Sequence, residues 1–222
     1  MFNPLISEHW QKTEVQITAL SERMNLNWQT FFSSLDDDQQ AAVKHVLVVS
    51  DFVADALPRD HDYLCAAISD DRINQPIRAN DYHQWLNELS DKAETEEDWH
   101  RALRRLRRRA MVHIIWRDAL KTGHTLETTR ALSELADVCV IRSIEFLQPL
   151  LEVRHGKPLA KSSEDEQELL VIGMGKLGGW ELNLSSDIDL ILLTPKAATQ
   201  RGQRSSVTRS FLPSWDKSSY RR

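Results

Sequence analysis

Residues 168–193 read ELLVIGMGKLGGWELNLSSDIDLILL. An apolar run opens into a glycine-rich turn and returns as a second apolar run carrying Asp187 and Asp189. Gly173, Gly175, Gly178 and Gly179 are four of the seven glycines in the chain, so backbone freedom is concentrated where a ligand must approach closely. Side chains alternate across a strand, so a strand-like Asp187-Ile188-Asp189 presents both carboxylates on one face, a pattern suited to Mg²⁺. The bland alternative is a hairpin edge kept soluble by charge.

Spacing separates the possible meanings of the glycines. Gly173-Met174-Gly175-Lys176-Leu177-Gly178 matches the dinucleotide-binding GxGxxG pattern literally. A Rossmann unit, however, needs a helix of about ten or more residues before its second strand. Here the run from Asp187 begins nine residues after Gly178, which leaves no room for it. A GxxxxGK[ST] phosphate loop is excluded too, because Leu177 follows Lys176. What fits is a strand, a glycine turn with at most one or two helical turns over Trp180 to Leu182, and a strand bearing Asp-x-Asp. Lys176 reads either as a phosphate-facing charge or as a solvated loop lysine.

Upstream, the 222-residue chain reads as a succession of helices. Ser7 is the expected cap of the first, which ends at a polar break near Asn25 and Asn27. Asp36, Asp37 and Asp38 open a periodic run through Val53, with Pro58 marking its end. The stretch from Asp60 to Asn80 looks broken and polar, and a short helix follows around Tyr82 to Leu89. Glu94 to Lys121 is the clearest helix, with Gly123 as its expected stop and Thr125 as the cap of the next. From Pro149 to Ser163 the sequence predicts a linker.

Composition narrows the class. With 41% hydrophobic residues the chain can build a core, and its longest apolar runs fall far short of a membrane span. MFNPLISEHWQ shows no signal pattern, so a cytoplasmic protein without membrane contact is expected. Cys65 and Cys139 suggest buried thiols, and the eight histidines show no HxxxH spacing, with His113 expected in the core. Residues 194–222 carry a net +6 and the preceding 193 residues −11, so the acidic body argues against nucleic acid as partner. Within that body stands an arginine-rich helix, Arg101, Arg104, Arg105, Arg107, Arg108, Arg109 and Arg117. It reads as a solvated face paired with acids such as Glu96 and Glu97, or as an anion or partner surface.

A glycine pair, about ten residues and then Ser186-Asp187-Ile188-Asp189 resembles the nucleotidyltransferase superfamily that includes DNA polymerase beta. The longer run GMGKLGGWELNLSSDIDL, with VSDFVADAL (Val49 to Leu57) and LRRLRRRAMVHIIW (Leu103 to Trp116), resembles the bifunctional glutamine synthetase adenylyltransferase/adenylyl-removing enzymes, over about Ala41 to Leu193. Lys176 stands where most of the superfamily has Ser.

The resemblance implies an α+β fold: a helical domain over residues 1–160, then the first strands of a nucleotidyltransferase mixed sheet over 161–193. It implies Mg²⁺ on Asp187 and Asp189, and nucleotide or phosphate at Gly173, Gly175, Lys176, Gly178, Gly179 and Ser186. It further implies removal of AMP from adenylylated glutamine synthetase by phosphorolysis, with ADP or ATP and phosphate as small-molecule partners and the PII signal protein as a regulator. The competing reading is a non-catalytic helical module that docks glutamine synthetase or PII.

After Leu193 the superfamily continues with a helix and a strand carrying a third metal-binding aspartate. Residues 194–222 show neither period, and they place Phe211 and Trp215 without a partner face, as in a disordered, alien tail. One set of codons allowed for Ser210 to Tyr220, shifted by two bases, spells FFTKLGQKLI, an amphipathic helix. The expectation is therefore a frameshift in a longer enzyme, which leaves this piece weakly active or inactive; the coding DNA tests it.

Overall fold

The computed structural model describes residues 4–160, 166–193 and 198–200. Within them the chain runs α1 (Pro4–Arg23), α2 (Trp28–Ser34), α3 (Asp37–Val49), α4 (Asp51–Arg59), α5 (His61–Ser69), a 3₁₀ turn (Arg72–Asn74), α6 (Ala79–Ser90), α7 (Glu96–Ala119) and α8 (Thr125–His155). It continues as β1 (Pro158–Ala160), β2 (Leu170–Gly173), the one-turn α9 (Gly175–Gly178), β3 (Leu190–Leu193) and β4 (Ala198–Gln200). The architecture is α+β and mostly helical. The mixed sheet expected from the sequence is not what the described residues form: β1 pairs with β4 and β2 with β3, both antiparallel.

Side-chain capping explains four helix starts. Asn27, Asp36, Ser50 and Thr95 accept from backbone N–H groups of the first turns of α2, α3, α4 and α7. Ser50 also ends α3, so the single run expected from Asp36 to Pro58 is two helices sharing one cap, and Pro58 lies inside the last turn of α4. α1 begins at Pro4, ahead of Ser7, since proline suits a first helical position.

Three helical turns end alike. After α1, α7 and α9, Asn25, Lys121 and Trp180 take φ of 57°, 56° and 58°. Each is followed by a long-range backbone bond, Leu26 N–H to Ser21 O, Thr122 N–H to Arg117 O and Glu181 N–H to Lys176 O. This is the Schellman motif with non-glycine residues in its left-handed position. The stop of α7 is therefore Lys121 rather than Gly123, and α8 begins after His124, which gives no side-chain cap, rather than after a Thr125 cap.

Three further expectations are corrected. Residues 60–80 form α5 and a 3₁₀ turn, because Leu64, Cys65, Ala67 and Ile68 are all buried and outweigh the surrounding acids. α8 runs through Pro149 to His155, so the linker shrinks to the few residues before β1. Ala198–Gln200 lies in the segment expected to lack strands; a ladder is made by main-chain groups, so three residues pair without a side-chain period. Residues 201–222, including Phe211 and Trp215, lie outside the described residues.

The helices bury three apolar clusters. One gathers α1 to α5 around stacked Trp10, Phe32 and Trp28, with Val112 and Trp116 of α7. A second joins α6, α7 and α8 through Tyr82, Trp85, Trp99 and Leu106. The third, described below, seats the glycine turn. No helix among the described residues is long and apolar enough to cross a membrane. Cys65 is buried and Cys139 half-buried, and burial pushes both thiols up to about 12.

His113 is only 3% exposed and shares a hydrogen bond with Tyr63 Oη at 3.2 Å, in keeping with its expected place in the core. Burial, then Arg109, Arg72 and Arg117, push its pKa down to about 3. The unfolded chain takes up this proton near pH 6.5 and the folded chain does not, so the contribution is intact above 6.5 and lost as pH falls toward 3. The loss approaches about 1.4 kcal/mol per pH unit within that window. Urea midpoints measured from pH 7 to about 4.5 are expected to fall less steeply for His113→Gln than for the wild type.

Candidate nucleotide and metal site

β2 and β3 form a hairpin with Leu170 opposite Leu193, Val171 opposite Leu192, Ile172 opposite Ile191 and Gly173 opposite Leu190. Antiparallel pairing is incompatible with a βαβ dinucleotide unit, whose strands run parallel. Met174 N–H donates to Asp189 O at 2.9 Å, carrying the ladder one step further and tying the glycine turn to the aspartate segment.

The helical turn sits over residues 175–178 rather than Trp180 to Leu182. Gly175 has φ of +54°, and a Cβ at Gly178 would stand 2.6 Å from the carbonyl oxygen of Gly173. The turn therefore folds back onto the end of β2 at a separation only glycine permits. Gly178 and Gly179 donate their N–H groups to Met174 O and Gly175 O, at 3.3 and 3.1 Å. Their amides are occupied, so the open end of the turn is that of Gly175, Lys176 and Leu177, with Lys176 exposed. Gly173 backs the turn from beneath, where a Cβ would meet Leu177 Cγ at 2.9 Å.

Asp187 and Asp189 precede β3, which starts at Leu190. Along 187–190 exposure alternates: both aspartates are exposed, and Ile188 and Leu190 are half-buried against the third cluster. The two carboxylates thus share the outer side, as strand alternation predicts. Among the described residues no group of three or more His, Cys, Asp or Glu comes together as a metal cluster. Two hard carboxylates still fit Mg²⁺, which commonly takes one or two from protein and completes its octahedron with substrate phosphates and water.

The loop before them is organised by Asn183, which sequence reasoning missed. Its Oδ1 accepts from Ser186 Oγ at 2.8 Å and Ser185 N–H at 3.2 Å, and Ser186 Oγ accepts from Asn183 N–H at 2.9 Å. Ser186 N–H donates to Asn183 O at 3.0 Å, closing a turn. An asparagine opening a four-residue turn that ends directly before Asp-x-Asp is the signal that could have found it. Ser186 thus fixes the loop. Trp180, 46% exposed in its left-handed conformation, flanks the same turn.

This hairpin is seated on the helices. Leu177 and Leu182 are buried with Met111 and Ile114 of α7 and Ala131, Leu132 and Ala136 of α8. The opposite face of the ribbon leaves Leu170, Ile172, Ile191 and Leu193 each more than 40% exposed, in line with the aspartates.

A family described as "Glutamate-ammonia ligase adenylyltransferase" matches residues 40–213. Curated relatives named "Bifunctional glutamine synthetase adenylyltransferase/adenylyl-removing enzyme" include one from Shewanella oneidensis, 35% identical over 205 residues, 92% of this chain and 20% of the relative. Another, from Pseudomonas aeruginosa, is 36% identical over 164 residues, 74% of this chain and 17% of the relative. A third, from Acinetobacter baylyi, is 39% identical over 146 residues, 65% of this chain and 16% of the relative. The chain spans a fifth or less of the length of these relatives. With most of its residues, the glycine turn and Asp187-Ile188-Asp189 inside the match, the chain belongs to the glutamate-ammonia ligase adenylyltransferase family.

Proposed function

We propose that this chain carries the opening part of a nucleotidyltransferase site that acts on the adenylyl group of glutamine synthetase. The observation that carries the reading is the pair of exposed carboxylates, Asp187 and Asp189, on one side of a segment hydrogen-bonded to a glycine turn. The half in question is the adenylyl-removing one; adenylylation belongs to the longer protein. PII is the proposed regulator, the cytoplasm the proposed compartment, and ADP or ATP the nucleotide.

In adenylyl removal a phosphate oxygen attacks the phosphorus of AMP held on a tyrosine. The bond from phosphorus to the tyrosine oxygen breaks, ADP leaves, and the tyrosine hydroxyl regains a proton. Asp187 and Asp189 would hold Mg²⁺, which would supply neutralising charge to phosphate oxygens. Gly175, Lys176 and Leu177 turn their N–H groups outward at the start of the helical turn, and the Lys176 ammonium adds a mobile positive charge beside them. Gly173 and Gly178 act by fixing the frame, and Ser186, through Asn183, fixes the loop that holds Asp187 in place.

With two carboxylates and one hairpin at the glycine turn among the described residues, this site is expected to bind Mg²⁺ and nucleotide weakly and to turn over adenylylated glutamine synthetase slowly or not at all. Titration of Mg²⁺–ADP followed by the part of the tryptophan fluorescence that Trp180→Phe removes tests the site. The wild type is expected to respond and Asp187→Asn to lose the response by roughly tenfold or more in affinity. Absence of a Mg²⁺-dependent response in the wild type would favour the non-catalytic docking module, and full phosphorolytic turnover would refute the incomplete site.

A further inference from the structure

The arginines of α7 divide into two sets. Arg109 and Arg117 face inward, 5% and 7% exposed, and the reading of a solvated face fails for them. Arg101, Arg104, Arg105 and Arg108 stand at i, i+3, i+4 and i+7, one stripe about 10 Å long that adjoins Arg109 and faces further outward.

Carboxylates meet this stripe thinly. Arg101 reaches Asp98 at 3.3 Å and Arg104 reaches Glu97 at 3.9 Å, in pairs exposed enough to contribute little. Arg105 lies 3.5 Å from Asp60, a carboxylate already held at 3.0 Å by Arg109. Arg108 makes no hydrogen bond or ion pair with the described residues, and its electrostatic surroundings set two guanidinium groups, Arg59 and Arg105, against two carboxylates, Asp60 and Asp55, that other arginines already engage. Burial and those two guanidinium groups lower its pKa. Arg59 is itself engaged by Asp55, bidentate at 2.8 and 3.0 Å.

Such a stripe leaves cations in want of carboxylates spaced one helical turn apart. It lies mid-helix, where backbone N–H groups are all taken within the helix and none is free to cradle a small anion. We propose that the Arg101–Arg104–Arg105–Arg108 face docks an acidic helical segment of a partner protein. Guanidinium forks match carboxylates bidentately, and displacing the weak pairs to Asp98 and Glu97 costs little.

The test uses the whole 222-residue chain and a fluorescein-labelled, alanine-rich helical peptide with glutamates at i and i+4, read by anisotropy. Binding is expected to weaken at least about tenfold in Arg104→Gln/Arg108→Gln, and comparably between about 50 and about 200 mM salt. Arg130→Gln, a 71% exposed arginine on α8, is expected to leave it unchanged. Arg101→Gln/Arg104→Gln alters two side chains that are each 62% exposed, so it tests the face without touching the core, and a severalfold loss is expected. The proposal is overturned if either double variant binds like the wild type, or if Arg130→Gln loses as much. It is equally overturned if a single-stranded oligonucleotide of equal charge binds as tightly, or if inorganic phosphate displaces the peptide at matched ionic strength.

Discussion

Asp60→Ala is expected to lower the stability of the chain by about 3–5 kcal/mol, the largest loss predicted for any single side chain outside the apolar clusters. Asp60 and Arg109 are 6% and 5% exposed and joined by two hydrogen bonds, Nε to Oδ2 at 3.0 Å and Nη2 to Oδ1 at 3.3 Å. Removing the carboxylate leaves the guanidinium buried, 3.5 Å over the Tyr63 ring, with Glu88 at 3.6 Å the one acid left to answer it among the described residues. Urea unfolding measures the loss. A buried pair is a weak source of net stability but expensive to halve, so Asp60→Leu/Arg109→Met is expected to recover a large part of it. A loss below about 1 kcal/mol for the single variant would show that Arg109 finds water or another carboxylate.

The second large effect is expected at the glycine turn. In Gly178→Ala the new methyl would stand 2.6 Å from Gly173 O and 3.4 Å from Gly173 C. Both are backbone atoms, so no rotamer relieves the clash and the turn must lift from the end of β2. A stability loss of about 1–3 kcal/mol is expected, together with loss of the Mg²⁺–ADP response. Gly175→Ala has open space around it but keeps φ of +54°, which costs about 1–2 kcal/mol. Gly179→Ala meets only the Glu181 side chain at 3.6 Å and is expected to be nearly silent. Melting curves of the three variants should rank 178, then 175, then 179. Any other order would contradict the close approach of Gly178 to Gly173.

The hairpin was legible because two short-range signals agreed: alternation at Asp187-Ile188-Asp189-Leu190, and glycines too close to the next strand for a crossover helix. The helices were legible where apolar period and a capping side chain coincided, as at Asp36 and Thr95. Elsewhere tertiary forces overrode local signals. α5 forms among Asp60, Asp62 and Asp70 because its apolar side chains are needed on several sides at once. Lys121 and Trp180 end helices in a conformation their side chains disfavour, since the closing hydrogen bonds and buried neighbours fix the turn. Asp60 pairs with Arg109 across 49 residues, and no window along the chain contains both. Of the site, the aspartates and the tight glycines could be read; that the amides of Gly178 and Gly179 are occupied, and that Asn183 ties down Ser186, follow from geometry alone.

Leu177 belongs to two structures at once. It is the third residue of the one-turn helix, and it is packed among Met111, Ile114, Leu132 and Ala136 in the core between α7 and α8. Lifting the glycine turn exposes that leucine and opens the seam between the two longest helices. The turn therefore has no private melting point: the bonded amides of Gly178 and Gly179 are expected to exchange with solvent on the schedule of the helical body, and whatever loosens α7 against α8 loosens a turn more than 60 residues downstream of Met111.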